Sequence, residues 1–285
     1  MPKTYSQLYI DARRALKEAG IEAHSLEARL LICHAANKTQ AELLRDMPLY
    51  TSNEVERTLE GFMARRLGGE PVAYISGAWE FYGLPLQITP DVLIPRSDTE
   101  VMVDKALELS RQRNSSPRVL DLCCGSGCIG LAMAHELPES RVVMLDLSRK
   151  ALDVARRNIR LNGLSARVVC MEGDALIPPA DNLGSFDLIL SNPPYIATAE
   201  IDTLDSSVRC FEPRSALDGG EDGLCFYRFI ASEWKHSLRT GGWLVFEIGE
   251  TQAADVMKIM RLAGYKNVDC VKDTAGHDRV VFGKV

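Results

Sequence analysis

Long apolar runs are missing from this 285-residue sequence; none approaches the ~18 residues that a membrane-spanning helix needs. The first residues, Met1-Pro2-Lys3-Thr4-Tyr5-Ser6, also lack the apolar core of a secretory signal. There is no basic surplus. The 33 Lys and Arg stand against 39 Asp and Glu, and the resulting charge of −6 argues against a non-specific grip on nucleic acid. No His–Cys spacing matches a zinc site, so no metal is expected. Repeats and low-complexity segments are absent as well. The eight cysteines are scattered, with Cys123, Cys124 and Cys128 crowded around one glycine turn. That usage fits thiols kept reduced in a cytoplasmic protein. What remains, 46% hydrophobic and 25% charged residues, is ordinary for a globular chain with room for two domains.

Residues 5 to about 70 carry helical periodicity. Leu8, Ala12, Leu16 and Ala19 form one stripe that Gly20 stops. Ser25 reads as the N-cap of a second helix with Leu30, Leu31 and Ala35 on its apolar side. A short helix follows over Thr39 to Arg45. A fourth opens at Thr51 or Ser52, runs through Val55, Leu59, Phe62 and Met63 to Leu67, and ends at Gly68-Gly69. Residues 1–70 are therefore expected to form a small helical bundle that docks a partner. Residues 71–90 read as a β-hairpin linker, with strands at Val72–Ile75, Trp79–Tyr82 and Leu86–Ile88. Residues 91–285 form the second domain. Ser97-Asp98-Thr99-Glu100 is a capping signature for a helix through Leu109, and Arg96 and Glu100 fall at the rim of the coming pocket. From Arg118 onward strands alternate with helices, which predicts a parallel sheet covered on both faces. The strands are expected at Arg118–Leu122, Arg141–Leu145, Arg167–Met171, Phe186–Leu190 and Trp243–Ile248. The helices fall near Cys128–His135, Arg149–Asn162, Leu224–Ser237 and Gln252–Ala263. Two late strands, Asn267–Lys272 and Arg279–Gly283, form a terminal hairpin. The expected class is α/β: a Rossmann-like sheet of seven strands, mostly parallel with one antiparallel, behind a helical bundle.

Val119 to Gly130 reads as a strand, a tight turn and a helix start. Gly125 and Gly127 permit a sharp turn and a close approach to a ligand. Gly125-x-Gly127-x-x-Gly130 also fits the dinucleotide fingerprint, a weak signal when alone. Asp121 sits in the strand just before the turn, where a carboxylate suits the ammonium of a methionine moiety and repels a pyrophosphate. Asp146 ends the second strand and can accept from ribose hydroxyls. Asp174 follows the third, placed to accept from an adenine amino group with Ala175 against the ring. Each is also a plausible turn former, yet three acids at three successive strand ends favour S-adenosylmethionine. The candidate cofactor contacts are Asp121, Cys123, Cys124, Gly125, Ser126, Gly127, Asp146, Leu147, Asp174, Ala175 and Asn192.

Ser191-Asn192-Pro193-Pro194-Tyr195-Ile196 follows the fourth strand. Two prolines cannot extend a strand, and each pushes its predecessor into extended geometry. The stiff backbone, the Asn192 amide and the Tyr195 ring make a seat for a planar –NH2 group. The plainer reading is a proline turn with Tyr195 packed on the core. Asn192, Pro193 and Tyr195 are the candidate catalytic residues, and Asn192, Pro193, Pro194 and Tyr195 the candidate substrate contacts.

Together these features resemble the class I S-adenosylmethionine-dependent methyltransferases that modify planar nitrogens. More closely, the chain resembles the bacterial peptide chain release factor glutamine methyltransferases. The resemblance runs through Pro71–Gly77 with Glu80–Gly83, Leu93–Glu100, Asp121–Gly127, Ser191–Ile196, Phe211–Arg214 with Ala216-Leu217, Phe246–Gly249 with Gln252, Asp273 and Asp278-Arg279. Cys123 and Cys124 depart from the glycine and threonine of that family's turn, and Ser97-Asp98 from its Pro-Glu pair. The resemblance implies a glutamine side chain in the Gly-Gly-Gln loop of release factors as substrate. It implies that Asn192 Oδ1 and a backbone carbonyl, that of Pro193, accept the two amide hydrogens. A monomer without direct nucleic-acid binding is expected. The competing readings are a methyltransferase for the exocyclic amino group of a nucleic-acid base, a nicotinamide-dependent oxidoreductase resting on the glycine pattern, and a non-catalytic interaction protein.

Overall fold

The computed structural model describes residues 2–111 and 116–285. The chain forms two compact units. One runs through Ala78 and takes in Ser206–Phe211; the other comprises Trp79–Asp205 and Glu212–Val285.

The first unit is helical: α1 (Tyr5–Glu18), α2 (His24–Ala36), α3 (Gln40–Asp46), α4 (Asn53–Leu67) and α5 (Val72–Ser76). Thr4 with Gln7, and Thr39 with Glu42, form capping boxes that satisfy the orphan N–H groups of α1 and α3. Leu8, Leu31, Ile32, Leu43 and Leu59 meet in the core. Leu31 and Ile32 are fully buried, each contributing about 1.5–3 kcal/mol of transfer free energy. A bidentate Arg66–Glu27 pair at 2.6 and 3.1 Å ties α4 to α2. Three expectations change here. Ala19 is exposed past the end of α1. Ser25 lies inside α2, whose N-cap is Ala23, and its hydroxyl meets His24 Nδ1 instead. Val72–Ile75 is helical, not a strand, because Val72 and Ile75 turn together into the helical core. The bundle therefore extends past residue 70. Sequence reading did not assign Ser206–Phe211 to it; α9 (Ser206–Arg209) lies there.

In the second unit β1 (Ala78–Phe81) and β2 (Leu84–Gln87) form the expected hairpin. Tyr82 (φ 53) and Gly83 (φ 71) make its two-residue turn, both left-handed as a type I′ turn requires. A 3₁₀ turn over Ser97–Thr99 leads into α6 (Glu100–Ser110) without a side-chain cap. The capping box predicted there does not form, because Glu100 Oε1 accepts the Tyr82 N–H at 2.8 Å.

β3 (Arg118–Leu122), α7 (Cys128–Glu136), β4 (Arg141–Asp146), α8 (Arg149–Leu161), β5 (Val168–Glu172) and β6 (Phe186–Ser191) then alternate. The segment between residues 198 and 217 folds into 3₁₀ turns and α9, which sequence reading left unassigned. α10 (Cys225–Glu233) ends in a 3₁₀ turn over Trp234–Ser237; β7 (Leu238–Glu247), α11 (Ala253–Leu262), β8 (Lys266–Lys272) and β9 (Asp278–Lys284) complete the order. The seven strands lie as β5-β4-β3-β6-β7-β9-β8, with β9 antiparallel to both neighbours. The late hairpin is thus part of the sheet, with β9 inserted beside β7. Val119, Leu120, Leu122, Leu188, Ile189 and Leu190 are at most 1% exposed, as central parallel strands must be. The chain steps outward from β3 to β5 and returns to β6 on the other side. The break between β3 and β6 is a topological switch point, where a crevice opens at the strands' carboxyl ends. Among the described residues no helix is long and apolar enough to cross a membrane.

Candidate active site

The crevice holds a cavity of about 420 Å³, within the range of small-cofactor sites. Its lining brings together residues from four strand ends. The β3 turn supplies Cys123, Cys124, Gly125 and Ser126; Asp146 and Leu147 come after β4, Asp174 and Ala175 after β5, and Asn192 and Pro194 after β6. Asp121, Gly127, Pro193 and Tyr195 do not line it.

The β3 turn is latched from outside. Cys123 (φ 60), Gly125 (φ 53) and Gly127 (φ 82) are all left-handed, and a methyl at Gly127 would press on Met144 at 3.0 Å. Asp146 Oδ2 accepts the Gly125 N–H and Oδ1 the Ser148 N–H, both at 2.8 Å. Asn158 of α8 donates to the Ser126 carbonyl at 3.0 Å and bonds both backbone groups of Gln87. Asp174 Oδ1 accepts the Leu176 N–H at 2.8 Å. Asp146 and Asp174 therefore do serve as turn formers, and each carboxylate oxygen keeps a further lone pair for a ligand.

Asp121 is walled off behind the turn it supports. It is fully buried, its Oδ2 accepts the Gly130 N–H at 2.9 Å, and its Oδ1 has no partner among the described residues. Burial pushes its carboxyl up to about 7, against the pull of that N–H. An orphaned carboxylate oxygen behind a glycine turn puts negative charge close to a cationic ligand group seated on that turn, without contact. Together with the cavity's size and its two acidic strand ends, it fits S-adenosylmethionine. Burial also raises Cys123 and Cys124 far above the usual thiol range and Cys128 to about 12.

The β6 turn is held from behind. Ser191 Oγ donates to the Leu122 carbonyl at 2.9 Å, tying β6 to β3 across the crevice. The Tyr195 carbonyl accepts from Gln252 Nε2 at 2.9 Å, and Ile196 exchanges backbone bonds with Leu217 and Gly219. A methyl at Gly219 would come within 2.8 Å of the Pro194 carbonyl, and one at Gly223 would overlap the Tyr195 carbonyl. The Tyr195 ring packs against the main core, where burial pushes its hydroxyl up to about 12. Pro193 is buried, and its carbonyl takes part in no hydrogen bond among the described residues.

At the rim Arg96 pairs with Glu212, whose side chain is buried. Thr99, Leu93, Pro213 and Phe226 also line the cavity, and none of them is expected there from the sequence. Leu93 and Pro213 come from loops, Thr99 from the 3₁₀ turn before α6 and Phe226 from the first turn of α10. Only the position of Arg96 before the first core strand gave a signal.

The sequence is 42% identical to the release factor glutamine methyltransferase of Geobacter sulfurreducens, over 96% of this chain and 94% of that protein. It is also 42% identical to the protein of the same name from Caulobacter vibrioides, over 99% and 97%. The chain belongs to the release factor glutamine methyltransferase family. Two family profiles match segments of this family member, the methyltransferase small domain over residues 99–209 and the PrmC N-terminal domain over residues 7–77. Among solved structures, the hMettl16 catalytic domain shares the fold at 17% identity, with a TM-score of 0.58 over 71% of this chain and 76% of that one. The enzyme is therefore a methyltransferase that uses S-adenosylmethionine.

Proposed function

We propose that this protein transfers a methyl group to the side-chain amide nitrogen of the glutamine in the Gly-Gly-Gln loop of peptide chain release factors, in support of translation termination. The observation that carries the reading is Asn192 on the wall of a cavity that also contains the β3 turn and Asp146. When bound, S-adenosylmethionine would supply a methyl group from a positively charged sulfur and leave as S-adenosylhomocysteine, with one proton lost from the amide nitrogen. Asp146 and Leu147 would hold its ribose, Asp174 and Ala175 its adenine, and the β3 turn its methionine end, with the Asp121 charge buried behind that turn.

An amide nitrogen is a poor nucleophile, because its lone pair is delocalised into the carbonyl. In this reading Asn192 Oδ1 and the Pro193 carbonyl each accept one amide hydrogen. Their pull lets the nitrogen turn tetrahedral, while the prolines keep both acceptors from moving with it. Such positioning is worth about 7–11 kcal/mol in well-oriented reactions. Pro194 and Tyr195 back the seat and exclude water. A glutamate side chain offers no hydrogens and would leave both acceptors unpaired, at roughly 1–3 kcal/mol each.

The helical unit is read as the dock for the release factor. With its acidic balance, the chain is read as a cytoplasmic monomer that does not bind nucleic acid directly. The test is incubation of the full chain with a release factor and labelled S-adenosylmethionine, followed by peptide mass spectrometry. One methyl on the Gly-Gly-Gln glutamine is expected; label on another residue, or none, overturns the reading.

A further inference from the structure

Glu247 ends β7 beside the proline turn, since Phe246 pairs in register with Ser191, the residue before Asn192. Its backbone is fixed independently of its side chain. The carbonyl accepts from Tyr227 Oη at 3.0 Å, and Val280 of β9 lies opposite. The side chain is buried at 2% exposure, and Oε2 has no partner among the described residues. Thr99 and Asn192 both line the cavity beside this strand end, and their polar groups favour the ionised form of the carboxyl. A buried carboxyl with an unpartnered oxygen is costly, so its place one strand over from Asn192 calls for an explanation.

We propose that Glu247 is the positioning residue for Asn192: ionised, it accepts from Asn192 Nδ2 and so turns Oδ1 toward the substrate's –NH2 group. The inference rests on the methyl-transfer reading above and goes beyond it. A side-chain amide carries a donor and an acceptor on opposite corners, and only one of its two orientations presents oxygen to a substrate donor. A carboxylate can only accept, which selects that orientation. A protonated carboxyl also donates, and the selection is lost.

Burial pushes the Glu247 carboxyl up to about 7; the Thr99 hydroxyl, the Arg279 charge and the Asn192 amide oppose the rise, and the Asp98 charge adds to it. Arg279 is itself held by Asp273 at 3.0 Å and faces Asp98 at 3.6 Å. The other titratable groups facing the carboxyl are Tyr195, Tyr227 and Cys128, which burial keeps neutral near pH 7. Asp121, the other carboxyl raised to about 7, sits behind the cofactor turn. Its titration acts on cofactor KM, whereas that of Glu247 acts on kcat.

Two readouts test the proposal on the full chain. The ¹⁵N side-chain amide resonance of Asn192, assigned by its loss in Asn192→Ala, should titrate with a midpoint near neutrality and stay fixed in Glu247→Gln. In parallel kcat should rise about tenfold from pH 6 to pH 8 as the carboxylate fraction grows. In Glu247→Gln it should be low and flat, with cofactor KM unchanged. Thr99→Val, which removes a donor to the carboxylate, should move both midpoints upward, and it decides the matter if the Gln variant does not fold. An amide resonance that ignores pH, a Gln variant with the native profile, or an unmoved midpoint in Thr99→Val each overturns the inference. Wild-type protein without methylation would sink the functional reading instead, while the resonance would still report on Glu247.

Discussion

The turns after β3 and β6 flank one crevice and reach their shapes by opposite routes. After β3 the backbone turns left-handed at Cys123, Gly125 and Gly127, freedom that most residues lack. Asp146 and Asn158 must then latch it from other elements, while Asp121 of β3 itself holds the Gly130 N–H of the helix that follows. After β6 two prolines remove the freedom at source. The bulky chain that results needs empty space behind it, which Gly219 and Gly223 leave, and Gln252 pins the Tyr195 carbonyl. A permissive turn is made rigid by polar side chains brought from elsewhere; a rigid turn is made to fit by distant glycines.

This contrast can be broken at four points, and the largest effect is expected at Asn192. Asn192→Ala should lower turnover by about 10²–10³, the usual loss for one preorganised polar group at a reaction centre, with cofactor affinity preserved. Near-native kcat at saturating cofactor would remove Asn192 from the mechanism. Next comes Gly223→Ala, which combines a left-handed φ of 70° with overlap on the Tyr195 carbonyl. It displaces the proline turn and leaves the β3 turn alone. Turnover should drop by about 10–10², while calorimetric affinity for S-adenosylhomocysteine changes less than about twofold. Equal damage to both would show that the two turns are not independent.

Asp121→Asn tests the other side. The folded-state carboxyl is raised to about 7, so its ionisation opposes folding once pH climbs from the unfolded value toward 7. The cofactor-free variant should therefore gain about 1–3 kcal/mol over wild type at pH 8 and little at pH 4, as read by chemical denaturation. Cofactor affinity should fall about tenfold. A variant that is less stable at pH 8 would mean that the orphan oxygen has a partner after all. The smallest effect is expected for Cys123→Gly. Relief of a left-handed φ of 60° outweighs the added entropy of the unfolded chain by about 0.5–1 kcal/mol, visible as a raised Tm.

Much of this architecture was legible in sequence because its causes are local. The strand end at Leu122, and that expected at Met171 one residue short of Glu172, follow from short apolar runs closed by turn residues, and the helix openings expected at Thr39 and at Thr51 or Ser52 lie within two residues of Gln40 and Asn53. The prolines announced the β6 turn by themselves. Local patterns failed where tertiary contacts decided. Val72–Ile75 is β-branched and aromatic enough to read as a strand, yet burial of Val72 and Ile75 against the bundle makes it a helix. Glu100 had the spacing of a capping box but is claimed by a hairpin N–H. Phe226 falls in a predicted helix, and Thr99 and the glycines behind the proline turn carry no periodic signal; only the folded chain places them near the cavity or the proline turn.

The insertion of β9 between β7 and β8 sets an order of events during synthesis. Among the described residues β8 pairs in the sheet with β9 alone, so it cannot dock until residues 278–284 emerge from the ribosome. Until then β7 presents an open, apolar edge to its surroundings, with Leu244, Val245 and Phe246 at its centre. A nascent chain stalled just short of Asp278 should thus be the species most prone to stick to its neighbours and to recruit chaperones.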